Sequence, residues 1–256
     1  MELSVPDASG SRWSLTKELL TRPYPLRAAV LVPFAAFAFL VPCYLVIGAQ
    51  VRGGPLHQPA LALDRALPVL PLWTLVYGSL YLAIFLPMVV VRHEEHLRRT
   101  LWAFVMLWAI GAIGWLSYPT VLLRPARALL GDGFGAWTLR IAYGMDDPFN
   151  CFPSLHVAQA FLAAFTCQLL SRRLGRVALV WAALVAVSTL FTKQHYVVDV
   201  IAGILVAGAA YLVFLRGYSR TAIPQLDERV VTVVMVGFAG LHALLIAGFW
   251  VAYMVR

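Results

Sequence analysis

The sequence predicts an all-α fold: a polytopic transmembrane helical bundle with a six-helix core and one extra C-terminal transmembrane helix. Two observations carry this. Of the 256 residues 61% are hydrophobic and only 12% charged, whereas a soluble domain is roughly half apolar and a quarter charged. The apolar residues are also gathered into long blocks, and a helix needs about 20 of them to cross a bilayer.

Seven blocks meet that requirement, at about 27–50, 68–91, 101–121, 153–171, 176–192, 197–216 and 230–254. We treat residues 1–256 as a single integral membrane domain, with a core over about 27–216 and the extra helix over about 230–254. Before the first block, Glu2, Asp7, Arg12, Lys17 and Glu18 are mixed with no short apolar region and no cleavage site. No signal peptide is expected there, so insertion begins with the first span. Between the third and fourth blocks, the segment 122–152 is long and polar, and Gly131, Asp132, Gly133, Gly135, Asp146 and Asp147 interrupt its periodicity. A short helix is expected near Trp137–Ile141.

The net charge of +8 reads as a topology signal and as attraction for lipid phosphate. No compact basic and aromatic patch points to nucleic acid. One set of loop ends holds 13 of the 20 Lys and Arg residues, among them Arg12, Arg92, Arg98, Arg172, Arg173 and Arg229. The other set holds 7, among them Arg124, Arg127, Arg140 and Lys193. The richer side is cytoplasmic by the positive-inside rule. The N-terminus is therefore expected inside, with 122–152 and the 192–197 turn together on the extracytoplasmic face, periplasmic or lumenal.

Three cysteines, Cys43, Cys151 and Cys167, show no CxxC spacing, so neither a disulfide framework nor a thiolate metal site is expected. His93 and His96 flank Glu94 and Glu95 in a short inner loop beside Arg92, Arg98 and Arg99, which reads as a solvated charged turn rather than a metal cluster. No metal and no cofactor are expected.

Two segments carry chemistry. Cys151-Phe152-Pro153-Ser154-Leu155-His156 opens the fourth span, and Thr192-Lys193-Gln194-His195-Tyr196-Val197-Val198-Asp199 opens the sixth, at the same boundary. His195 and Asp199 are four residues apart and share a helix face, so the carboxylate can accept from one ring nitrogen and leave the other free. Pro153 suits a first helical turn, whose unpaired N–H groups attract an anion, and Ser154 adds a hydroxyl. Transfer of a phosphoryl group needs a nucleophile on one side and a proton donor for the leaving oxygen on the other. Histidines from two helices can supply both. Three ionisable groups at one membrane face are opposed by desolvation, which favours function over fold stabilisation.

These residues resemble the motifs of the type 2 phosphatidic acid phosphatase (lipid phosphate phosphatase) superfamily. Its motifs run Lys-x6-Arg-Pro, Pro-Ser-Gly-His and Ser-Arg-x5-His-x3-Asp. Arg124-Pro125 is similar to the end of the first, Pro153-Ser154-Leu155-His156 to the second, and Ser188 with His195 and Asp199 to the third. The resemblance implies that His195 is a nucleophile forming a phosphohistidine, that Asp199 orients it and that His156 protonates the leaving group. Arg124 and Ser154 would hold the substrate phosphate. Ser117, Leu155 and Thr189 stand where the motifs have Lys, Gly and Arg, and Lys193 is the candidate to replace one missing cation.

Phe-Pro-Ser-Leu-His followed by His-Tyr-x-x-Asp-x-x-Ala-Gly, ending at Ala202-Gly203, most resembles the inositol phosphorylceramide synthase and sphingomyelin synthase branch. In that branch a hydroxyl acceptor, not water, resolves the intermediate. The resemblance thus implies a metal-independent lipid phosphotransferase, with simple hydrolysis of lipid phosphates or pyrophosphates as the alternative. A reading from another class, a proton-coupled transporter or lipid flippase, rests on the spans and intramembrane ionisable groups; the sequence shows no related halves to support it.

Overall fold

The computed structural model describes residues 26–91, 93–218 and 225–256. The acidic and basic residues before Leu26, Arg92 and Arg220 lie outside the described residues, and with them the expectation about a signal peptide. Helix α1 is Leu26–Val51, α2 Ala62–Ala66, α3 Thr74–Gly78, α4 Leu80–Ala83, α5 Leu86–Val90 and α6 Glu94–Ser117. Then come α7 Phe134–Met145, α8 Leu155–Leu170, α9 Arg172–Phe191, α10 Val197–Ala210 and α11 Glu228–Met254. The described residues form no strand beyond one isolated bridge between His57 and Thr120, and the all-α bundle stands as expected.

Among the described residues five helices are long and apolar enough to cross a membrane: Pro33–Val51 within α1, α6, α9, α10 with its π-helical extension to Leu215, and α11. The other two expected crossings differ. Helix α8 has only 16 residues, because the chain before it is taken up by the site loop. The block 68–91 is not one helix but a series of short turns. Pro71 opens a 3₁₀ turn, and Thr74 Oγ1 donates to the Pro71 carbonyl at 2.7 Å. Ser79 Oγ donates to the Val76 carbonyl at 2.6 Å, and Pro87 opens α5 without a donor of its own. Trp181 Nε1 on α9 donates to Ser79 Oγ at 2.8 Å and pins the break to its neighbour. Tyr77 and Tyr81, four residues apart on either side of that break, turn towards α8.

Helix α8 is the centre of the bundle. Ala158, Ala160, Ala163 and Ala164 are fully buried, and small side chains let helices approach closely where no water drives them together. Gly203 of α10 sits against the start of α8: a Cβ there would lie 2.5 Å from the Ser154 carbonyl. That contact fixes the two histidine segments against each other, as does the Ser154 amide donating to the Asp199 carbonyl at 3.1 Å. Gly111 of α6 leaves the room that the Leu155 side chain fills, with a would-be Cβ only 3.1 Å from it.

The segment before α8 is held by polar groups in place of regular structure. Thr120 Oγ1 accepts from the amides of Cys151 and Phe152, each at 3.1 Å. Leu122 N donates to the Pro148 carbonyl at 3.0 Å. Asn150, at φ 57°, donates through Nδ2 to the Tyr44 carbonyl at 2.9 Å. The short helix expected near Trp137–Ile141 is α7.

Helix α11 runs along the bundle, with Arg173 Nη1 3.1 Å from Glu228 at its start and Phe134 stacked edge-on against Trp250 and Tyr253 at its end. The inner loop departs from its expectation. Glu95 pairs with Arg98 and Arg99 on the surface, but His96 is fully buried, with neither ring nitrogen hydrogen-bonded among the described residues. Its position one turn into α6 faces the ring of Tyr218 at 5.6 Å rather than water. Among the described residues no group of three or more metal-ligating side chains gathers there or elsewhere.

Candidate active site

The turn that precedes α10 is built by backbone. Lys193 adopts φ 49°, the left-handed conformation that reverses a chain in one residue. The Thr189 carbonyl then accepts from both the Gln194 amide at 2.8 Å and the His195 amide at 3.3 Å. This folds His195 back beneath the loop that leads into α8. Ser154 caps α8, its Oγ accepting from the Val157 amide at 3.3 Å. In the first turn of that helix His156 projects towards the same point.

The two imidazoles meet. His156 Nδ1 lies 3.0 Å from His195 Nε2. On the far side of His195, Nδ1 lies 3.0 Å from the Cys151 carbonyl oxygen and 3.6 Å from Asp199 Oδ2. The hydrogen bond that spacing alone assigns to Asp199 is thus made to a main-chain carbonyl. Asp199 is fully buried, and its Oδ2 caps α10 by accepting from the Tyr196 amide at 2.8 Å. That oxygen still lies within reach of the ring. On the far side of His156, Nε2 is 2.8 Å from the Tyr77 hydroxyl and 3.5 Å from that of Tyr81. Neither tyrosine was singled out by the sequence.

The pair forms part of the wall of a cavity of about 340 Å³ between α1, the broken second crossing, α6 and α8. Apolar and aromatic groups make up most of the wall, among them Phe37, Tyr81, Trp108 and Trp115. Asp146 is the charged residue in it, its Oδ1 accepting from the Tyr44 hydroxyl at 2.6 Å; no Lys or Arg is among its described lining residues. A neighbouring space of about 170 Å³, lined by Leu40, Phe104 and Val105, shares Phe37, Ile84, Trp108 and Gln159 with it. The cavity can therefore seat a polar headgroup at the histidines with apolar surface alongside.

Arg124 reaches the site from behind. Its Nη2 donates to Gln194 Oε1, the residue next to His195, its Nη1 donates to the Asp146 carbonyl at 2.5 Å, and its guanidinium lies 4.7 Å from the centre of the Tyr143 ring. Lys193 is not brought to the pair. Its ammonium donates to the carbonyls of Asp64 and Leu67, each at 2.8 Å, because the left-handed turn directs the side chain towards α2. Ser154 lies beside the pair, its side chain fully buried and engaged as the cap.

Burial holds the His195 imidazole well below its ordinary range, at about 4, against the opposing influence of Asp146 and of the Cys151 carbonyl. At neutral pH the ring is therefore uncharged. A carbonyl can only accept, so Nδ1 carries the hydrogen and Nε2 keeps its lone pair. An uncharged imidazole held with its lone pair at a cavity wall can act as a nucleophile, and a second imidazole at 3.0 Å can move a proton to or from whatever enters between them.

Comparison with protein families agrees with this geometry. The family model of the PAP2 superfamily matches residues 57–213. The chain belongs to the PAP2 superfamily. Neither the curated proteins nor the solved structures gave a match. PAP2 membership supports an enzyme of the lipid phosphatase or phosphotransferase type, acting on a lipid phosphate, and five long apolar helices make this PAP2 protein a multi-pass integral membrane protein. The PAP2 match takes in Arg124, both histidine segments and Tyr77, and leaves α1 and α11 outside.

Proposed function

We propose that this protein transfers a phosphorylated headgroup from a phosphodiester lipid to a hydroxyl acceptor, in the manner of inositol phosphorylceramide synthase, through a phosphohistidine on His195 at the extracytoplasmic face. The observation that carries the reading is the 3.0 Å approach of His156 Nδ1 to His195 Nε2 at the cavity wall. The phosphorus enters between the two nitrogens. Nε2 attacks, the bond from phosphorus to the lipid oxygen breaks, and His156 Nδ1–H protonates that oxygen. In the second half an acceptor hydroxyl gives its proton to His156 and attacks phosphorus, and the P–N bond breaks.

As Nε2 attacks, positive charge develops on His195. The Cys151 carbonyl stabilises it by hydrogen bonding, and Asp199 Oδ2 lies 3.6 Å away on the same side of the ring. The first-turn amides of Leu155 and His156 have no acceptor within α8 and favour an anion there. Arg124 adds positive potential through Gln194. The cavity argues for a diester: Asp146 would repel the dianion of a phosphomonoester, but it suits a monoanionic diester whose headgroup carries hydroxyl or ammonium donors.

Lipid mass spectrometry on the purified protein tests this. With a phosphodiester lipid and a second lipid bearing a free hydroxyl, a new phosphorylated lipid is expected, dependent on both. Release of free phosphate from a phosphomonoester, with no new lipid under any pairing, would assign hydrolysis and reject transfer. The pH dependence has a defined sign. His195 acts unprotonated, and its value of about 4 lies below the usual 6.5. The acid limb of kcat/KM is therefore expected near pH 4, with activity lost as pH falls through it; an acid limb at 6 to 7 assigned to His195 would contradict the buried, uncharged nucleophile.

A further inference from the structure

Tyr77 belongs to no motif and stands 79 positions before His156, yet its hydroxyl is 2.8 Å from His156 Nε2. It is almost fully buried, and its helix is fixed by the Trp181 to Ser79 hydrogen bond. The hydrogens along this row can be assigned from the fixed end. The Cys151 carbonyl accepts from His195 Nδ1, so His195 Nε2 is bare. The hydrogen between the rings is then on His156 Nδ1, and in an uncharged ring Nε2 is bare and accepts from Tyr77. Tyr81, 3.3 Å from the Tyr77 oxygen and part of the cavity wall, donates to Tyr77.

This assignment exposes a chemical requirement. An uncharged imidazole that gives its one N–H proton to a leaving alkoxide becomes imidazolate, which is far too basic to be left behind at neutral pH. We propose that Tyr77 meets the requirement: it is a positioning and proton-relay residue that acts through His156, an inference resting on the phosphohistidine reading. As Nδ1–H passes to the leaving lipid oxygen, the Tyr77 O–H proton passes to Nε2. The ring stays uncharged and the negative charge rests on the Tyr77 oxygen, hydrogen-bonded by Tyr81. In the second half-reaction the acceptor hydroxyl proton enters at Nδ1 and the Nε2 proton returns to Tyr77. Protons and charge balance over the cycle, and no water has to enter the row.

The test uses the full-length protein with two donors that share one phosphorylated headgroup. One carries a lipid alcohol as leaving group and the other a nitrophenol, which departs without protonation. Tyr77→Phe is expected to slow release of the lipid alcohol by about 10²-fold or more while changing release of nitrophenol by no more than about threefold. Labelling of His195 by the nitrophenyl donor should persist. Equal slowing of both donors, with His195 still labelled, would show a merely structural role and overturn the relay. Absence of any His195 label in the unmutated protein would overturn the phosphohistidine reading and the relay with it. Where Tyr77→Phe fails to fold, a fluorinated tyrosine at 77 keeps the ring and hydroxyl but alters its acidity. It is expected to change the rate with the lipid alcohol alone, and an unchanged rate would reject the relay.

Discussion

Replacing His195 with alanine is expected to lower turnover by about 10⁴- to 10⁶-fold, the range seen when a nucleophile is removed from a preorganised site. The loss follows from geometry. Nε2 of His195, the proposed nucleophile, faces both the cavity and the His156 imidazole, with the Cys151 carbonyl and Asp199 behind the ring. His195 is also 5% exposed, and deleting it leaves the Cys151 carbonyl without its donor, at a cost of about 1–3 kcal/mol in stability. His195→Asn separates the two effects, since its amide NH₂ can still serve that carbonyl. The asparagine variant should melt near the unmutated protein and remain as inactive as the alanine variant. Full turnover in either would remove His195 from the chemistry.

His156→Ala is expected to cost about 10²- to 10⁴-fold with a lipid alcohol as leaving group, the usual worth of a general acid. Its Nδ1 is the proton donor nearest the nucleophile, and the two tyrosine hydroxyls behind Nε2 hold the ring in that orientation. The first half-reaction should suffer most, because there an alkoxide would otherwise depart unprotonated. Rapid-quench measurement of that half-reaction checks this. A His156→Ala protein that forms the intermediate at the normal rate from a lipid donor would contradict the assignment.

Both imidazoles were legible in the sequence because each opens a span beside a helix-starting signal, Pro153 for one and the four-residue spacing to Asp199 for the other. The partners of those imidazoles were not. The Cys151 carbonyl is a main-chain atom, and every residue supplies one, so no residue type announces it. Tyr77 and Tyr81 sit in a block whose hydropathy reads as an uninterrupted crossing. Only the breaks made by Pro71, Ser79 and Pro87 turn them towards α8. Lys193 shows the converse: its charge and its place two residues before His195 suggested a phosphate ligand, while its left-handed backbone sends the ammonium to the carbonyls of Asp64 and Leu67. Hydropathy located five of the seven expected spans, because bilayer thickness constrains a continuous helix directly, but not the broken second block or the short α8. It could not foresee His96, an imidazole in a charged loop that packing nevertheless buries.

The departures from the family motifs also acquire a physical reading. Leu155 stands where a glycine is usual and is accommodated because Gly111 on α6 vacates the matching space. Thr189 stands where an arginine is usual. Its side chain is folded back on the Ala186 carbonyl, and its own carbonyl shapes the turn that carries His195. With Ser117 and Thr189 standing where the motifs have Lys and Arg, and Asp146 in the wall, the proposed preference for a diester over a doubly charged phosphate has a physical ground.

On the proposed mechanism phosphorus is captured between His156 and His195 and bonded to the latter. Peptide mass spectrometry of the unmutated protein, quenched in alkali during turnover of a phosphodiester lipid without acceptor, tests it most directly. A phosphorylated headgroup on His195, discharged when acceptor is added, is the expected result. Continued turnover with the modification on another residue, or on none, would contradict it.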